Sequence, residues 1–146
     1  MSDKPSSVAA WEALFRAQVS VLRQLNAEFP TDELSFNEYD VLFNLSRQPD
    51  RALRIRDLNR HLLLTQPSVS RLVDRLVARA LVRKEPDPAD ARGTVVCLTD
   101  AGYDLFRRVA VVHADSIHRR VGSALSTDEL HELTRLTDKL RLNAEG

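Results

Sequence analysis

Four times along the chain an apolar residue stands before a Ser or Thr, with a second apolar residue four positions after it: Leu34-Ser35 with Tyr39, Leu64-Thr65 with Val69, Leu98-Thr99 with Tyr103, and Leu125-Ser126 with Leu130. Each reads as a helix N-cap flanked by a hydrophobic staple, in which the hydroxyl takes up an orphan backbone N–H and the apolar pair fixes the direction of entry. Glu38 and Glu129, three residues after Ser35 and Ser126, complete capping boxes at two of the four. Two further helices come from periodicity. Val8, Trp11, Phe15, Leu22, Leu25 and Phe29 keep 3-4 spacing, which predicts a long amphipathic helix over 7–29 ended by Pro30. Ile55, Leu58, Leu62 and Leu63 predict a short helix over 54–63, separated from the Thr65 cap by only a tight turn.

The helix expected from Thr65 carries an apolar stripe at Val69, Leu72, Val73, Leu76, Val77 and Ala80, with Gln66, Ser70, Arg71, Arg75 and Arg79 largely on its other side. Pro67 falls in its first turn, where a missing N–H does no harm. Beyond it the helical period stops. Leu81–Glu85 and Thr94–Leu98 are β-prone runs around Pro86-Asp87-Pro88-Ala89-Asp90-Ala91-Arg92-Gly93, which predicts a two-stranded hairpin with an exposed tip. A hairpin alone is marginal in water, so this one must pack on the preceding helices. Thr99 then opens a helix reaching about Val121, and Ser126 a last one with Leu130, Leu133, Leu136 and Leu140 along one side. The expected fold is therefore mainly α with a small β-hairpin wing. A single domain over 1–146 is expected, its winged helix-turn-helix core over about 35–98 and further helices over about 7–29 and 99–142.

Charge is informative only through its distribution, because Lys plus Arg and Asp plus Glu are 21 each. Between Arg51 and Lys84, Arg51, Arg54, Arg56, Arg60, Arg71, Arg75, Arg79, Arg83 and Lys84 face only Asp57 and Asp74. A basic middle third is where phosphate contacts are to be sought. No run of 18 apolar residues exists and the opening Met-Ser-Asp-Lys-Pro-Ser-Ser lacks a secretory core, so a cytoplasmic chain with no membrane partner is expected. Cys97 is the single cysteine, which rules out an internal disulfide and a cysteine zinc site.

Helix, tight turn, polar-faced helix and hairpin in succession suit duplex DNA: a helix fits the major groove and an extended hairpin can reach the minor groove. At this point the chain resembles the MarR family of transcriptional regulators, through Asp90-Ala91-Arg92-Gly93 in the wing (the family's Asp-x-Arg-Gly), Pro67-Ser68-Val69-Ser70-Arg71-Leu72-Val73-Asp74-Arg75-Leu76 in the recognition helix, and Leu98-Thr99-Asp100-Ala101-Gly102 after the wing. The resemblance implies that Arg92 enters the minor groove, braced at its guanidinium by Asp90, with Gly93 closing the wing. It implies that Gln66, Ser68, Ser70, Arg71 and Arg75 face the major groove or its phosphates; Lys84, in the basic stretch, is counted with them. Asp74 is expected to pair with an arginine, since a carboxylate beside phosphate is repelled.

The resemblance further implies a homodimer built from the first, fifth and sixth helices, and the uncovered stripes containing Trp11, Phe15, Leu22, Leu130, Leu133, Leu136 and Leu140 need such a surface. A two-fold dimer would read a near-palindromic operator. Trp11 lies near where the resemblance places a pocket for a small-molecule effector. No cofactor and no metal are expected: Cys97 sits on a predicted strand without a basic neighbour, and His113 and His118 are five apart, off the i, i+4 spacing of a helical metal site. The chain has no phosphate loop, nucleophile elbow or triad, which argues against an enzyme. The expected function is a sequence-specific DNA-binding regulator, a repressor released by an effector. The competing reading is a winged protein-interaction module that does not bind an operator.

Overall fold

The computed structural model describes residues 3–63 and 68–146. They form two compact units, one of residues up to Glu28 together with those from His113 on, the other spanning Phe29–Val112.

In the Phe29–Val112 unit, α2 (Phe36–Ser46) begins with the full capping box anticipated: the Glu38 N–H donates to Ser35 Oγ at 3.1 Å, and the Ser35 N–H to Glu38 Oε1 at 2.8 Å. It is followed by β1 (Ala52–Arg54), α3 (Ile55–His61), α4 (Val69–Ala78), β2 (Val82–Asp87), β3 (Asp90–Leu98) and the start of α5 (Asp100–Ile117). Leu42, Leu45, Leu58, Leu72, Val73, Leu76 and Val96 from these elements meet in a closed apolar core, whose burial from water is the main force holding the unit together.

Three features depart from the sequence expectation. The wing is a three-stranded antiparallel sheet in the order β1-β3-β2, not a two-stranded hairpin. Three residues between two helices are too few to show a period, yet Ala52, Leu53 and Arg54 pair with Cys97, Val96 and Val95. The hairpin strands also run nearly to the tip, so most of the expected 86–93 connection is strand. Third, α4 starts three residues later than expected. Ser68, extended at φ −152° and ψ 111°, is its N-cap and accepts the Arg71 N–H at 3.2 Å. The expected cap Thr65, with Leu64, Gln66 and Pro67, lies outside the described residues.

The ends of α4 and α5 interlock. After α4, Ala80 takes a left-handed φ of 59°, its N–H reaching the Val77 carbonyl and the Leu81 N–H the Leu76 carbonyl, the pattern of a Schellman stop. Thr99 Oγ then accepts the Gly102 N–H at 3.0 Å and donates to the Ala80 carbonyl at 2.8 Å. A Cβ on Gly102 would lie 2.0 Å from the Leu81 carbonyl oxygen, so only glycine admits this approach.

In the other unit, α1 (Lys4–Glu28) and α6 (Thr127–Glu145) bury none of their residues, although α6 starts with the expected Ser126–Glu129 capping box. The helix expected over 99–121 is interrupted: α5 passes into a π-helical turn at His118–Gly122. Arg119 and Arg120 from this turn, with Ser116, converge on the Glu28 carboxylate, and the Arg120 and Ser116 hydrogen bonds hold its pKa below the usual carboxylate value. Among the described residues, no helix is long and apolar enough to cross a membrane.

Candidate nucleic-acid interface

The chain is held where it leaves α3. Asp40, buried on α2, accepts the Leu63 N–H at 2.8 Å and the Asn44 Nδ2 amide at 2.9 Å on its other oxygen. A buried carboxylate aimed at a backbone amide fixes Leu63, while α4 begins at Val69 after its own Ser68 cap. Sequence reasoning passed over Asp40 because the polar residue lies inside an apolar helix pattern and its partner is distant in the chain.

From that start, α4 buries Leu72, Val73 and Leu76 and leaves Ser70, Arg71 and Arg75 exposed, with Ser68 half-buried at the cap. Neither Arg71 nor Arg75 pairs with a carboxylate among the described residues, and Gln66 lies outside them. The rest of the basic stretch is largely committed elsewhere. Arg79 reaches Glu38 at 3.4 Å, Arg83 reaches Glu85 at 2.8 Å, and Arg54 reaches Asp87 at 2.7 Å. Arg51 stacks on the Tyr103 ring, its guanidinium carbon 3.7 Å from the centroid. Lys84 is ion-paired with Asp74, so the partner of Asp74 is this lysine and not an arginine. Charge counting in the sequence could not sort free from paired cations, because the pairs join residues on different elements.

The wing tip is built by two side-chain caps. Pro86 and Asp87, neighbours on β2, face Thr94 and Asp90, which leaves Ala91, Arg92 and Gly93 as a bulge without partners on β2. Asp87 Oδ1 accepts the Ala89 N–H at 2.9 Å and Asp90 Oδ1 the Arg92 N–H at 3.0 Å, two successive Asx turns. Asp90 therefore holds the backbone of Arg92 and not, as expected, its guanidinium, which has no ion-pair partner among the described residues and is exposed. Gly93 is needed for space, since it has no positive φ and a Cβ there would sit 3.2 Å from the Asp87 Cβ and Oδ2.

Cys97 is buried on β3, and burial pushes its thiol pKa up. His113 is buried and burial lowers its pKa; His118 is exposed and packs against Gly122. Trp11 is 59% and Phe15 51% exposed, edge to face on α1 with centroids 5.4 Å apart; Leu22 and Leu130 are half-buried, and Leu133, Leu136 and Leu140 are exposed. Trp11 and Phe15 line a groove along α1 with Val8, Glu12, Val19 and Arg23.

Two successive helices, the second with a cationic face, and a sheet whose last hairpin presents an arginine define a winged helix-turn-helix protein. Residues 32–93 match the model of the MarR family. The chain is 27% identical over 139 residues to the HTH-type transcriptional regulator MhqR of Bacillus subtilis, an alignment spanning 95% of this chain and 94% of the relative. Among solved structures it resembles Sco3205, a MarR family transcriptional regulator from Streptomyces coelicolor crystallised with DNA, at 28% identity and a TM-score of 0.76 over 100% of this chain and 90% of that one. It also resembles Bordetella bronchiseptica BpsR, whose DNA binding is regulated by 6-hydroxynicotinic acid, at 25% identity and a TM-score of 0.73 over 89% and 91% of the two chains. In sequence and in fold the chain is thus similar to regulators of the MarR family.

Proposed function

We propose that this chain is a cytoplasmic, non-catalytic transcriptional regulator that binds double-stranded DNA sequence-specifically as a homodimer, acting as a repressor released by a small-molecule effector. The observation that carries the reading is that Arg71 and Arg75 on α4 and Arg92 on the wing bulge are exposed with no carboxylate partner among the described residues, while Arg54, Arg79, Arg83 and Lys84 are paired. A helix with such a face fits the major groove, where Ser68 and Ser70 at its start, with Gln66 two residues earlier in sequence than Ser68, meet base edges and the arginines meet guanine edges or phosphates. Arg92, carried on an extended tip, suits the narrower minor groove. The DNA complex of Sco3205 supports this assignment by likeness.

The uncovered stripes of α1 and α6 support the dimer, whose two-fold axis would make the operator a near-palindrome. An effector, as BpsR has one, would act by favouring a dimer geometry that mis-spaces the two recognition helices. The test is the affinity for DNA upstream of its own gene and neighbouring genes across a salt series, beside Arg92→Ala. The expected result is tight, salt-sensitive, sequence-selective binding that the variant weakens by about tenfold. Binding no better than to random duplex would favour a winged interaction module.

A further inference from the structure

The wing arginine needs a fixed distance from the recognition helix to serve both grooves at once, and strand pairing does not supply it, because the bulge that carries Arg92 has no partner on β2. What holds the bulge is Asp87. Its side chain is 4% exposed. One oxygen, Oδ1, caps the tip at the Ala89 amide; the other, Oδ2, is buried without a hydrogen bond among the described residues and lies 2.7 Å from Arg54 Nε in an ion pair. Gly93, the neighbour of Arg92, lies directly against this carboxylate.

Arg54 in turn is the last residue of β1 and the N-cap position of α3, the first helix of the helix-turn-helix. The tip is thus tied to the start of α3 by a side-chain pair beyond the point where the β1–β3 pairing ends at Val95. A pair with its carboxylate buried and its guanidinium partly exposed is weak support for stability alone, since desolvation of the carboxylate offsets much of the attraction. Its geometric product is specific: the carboxylate is fixed at Oδ1 by the Ala89 amide and at Oδ2 by the charge of Arg54, and the bulge rests on it.

We infer that Arg54 and Asp87 are positioning residues for DNA recognition, which index Arg92 to the helix-turn-helix and so set the spacing between the major-groove and minor-groove contacts. This rests on the DNA-binding reading above.

The test is a double-mutant cycle on the duplex selected in the salt series, using the full-length protein with its active fraction fixed by stoichiometric titration. Arg92→Ala and Asp87→Asn are each expected to weaken binding about tenfold, and the double variant to bind no more weakly than Arg92→Ala alone, because Asp87 acts only through Arg92. Hydroxyl-radical footprints of Asp87→Asn should lose the minor-groove protection under the wing and keep the major-groove protection under α4. Additive losses, or a footprint weakened evenly, would assign the pair a merely structural role and overturn the inference. If Asp87→Asn does not fold, Arg54→Gln and Arg54→Lys decide the matter. Arg54→Gln should match the Arg92→Ala loss with no further loss in combination, and Arg54→Lys, which keeps the charge, should recover most of the affinity; equal behaviour of the two overturns it. If Arg92→Ala itself has no effect while the wild-type chain binds DNA, it is the wing reading that fails, separately from the brace.

Discussion

Ala80 holds a backbone conformation that costs a side-chain-bearing residue about 1–2 kcal/mol, and the Leu76 and Val77 carbonyls it helps satisfy keep it there. Since Ala80 is exposed, Ala80→Gly removes the strain without opening a cavity. Glycine's larger unfolded-state entropy offsets part of the gain. The expected outcome is a net stabilisation of about 0.5–1 kcal/mol, read as a thermal midpoint a few degrees higher at matched protein concentration. His113 is the second residue with a definite consequence. Its pKa in the folded chain lies below the free value of 6.5 because burial disfavours the imidazolium. The unfolded chain therefore takes up this proton first as pH falls, so the contribution of the neutral ring is present above about 6.5 and is lost as pH falls toward the lowered folded value. Denaturant titrations between pH 7.5 and 5 should show that loss, and His113→Leu should flatten it. The helix caps at Ser35 and Ser126 were legible from sequence because cap, Glu and apolar staple lie within five residues. The left-handed Ala80 was not, because nothing in an alanine marks it.

The pairing of α4 with β2 through Asp74 and Lys84 decides what the recognition helix shows to a polyanion. Lys84 was anticipated as a phosphate contact. With its ammonium neutralising Asp74, Lys84→Ala should weaken DNA binding several-fold at low salt by exposing an unpaired carboxylate on α4, an effect of about 0.5–1 kcal/mol that salt screens away. Lys84→Ala combined with Asp74→Ala should then return to near the wild-type affinity. A direct phosphate contact would instead leave the double variant as weak as Lys84→Ala, and filter-binding or fluorescence titration separates the two. At this scale the helices were readable because 3-4 spacing is local. β1 was not, since Ala52–Arg54 becomes a strand only by finding β3, more than forty residues later in sequence. The start of α4 was misplaced because two hydroxyl residues compete for the cap and local pattern favours the one with a staple.

For the molecule as a whole, the open stripes of α1 and α6 are the largest unmet demand. Leu136, 48% exposed in the single chain, would be covered in the proposed dimer. Leu136→Glu would bury an unpaired carboxylate there, costing about 3 kcal/mol and so weakening dimerisation by roughly 100-fold. Sedimentation velocity at micromolar concentration should show a shift to monomer, and affinity for a palindromic duplex should drop with it. A variant that stays dimeric with unchanged affinity would place the interface elsewhere.

Sequence by itself determined the helix starts at Ser35, Thr99 and Ser126, the apolar faces, the order of the helices and the presence of a wing with Arg92 in it, because all of these follow from spacings within one or two turns. Tertiary structure alone decided which cations remain unpaired, that Ser68 and not Thr65 caps α4, that Asp40 holds the Leu63 amide, that β1 completes the sheet, and that Asp87 and Arg54 hold the tip. Those depend on contacts between residues far apart in the chain, whose partners no local period encodes and which form only when the core brings the elements together.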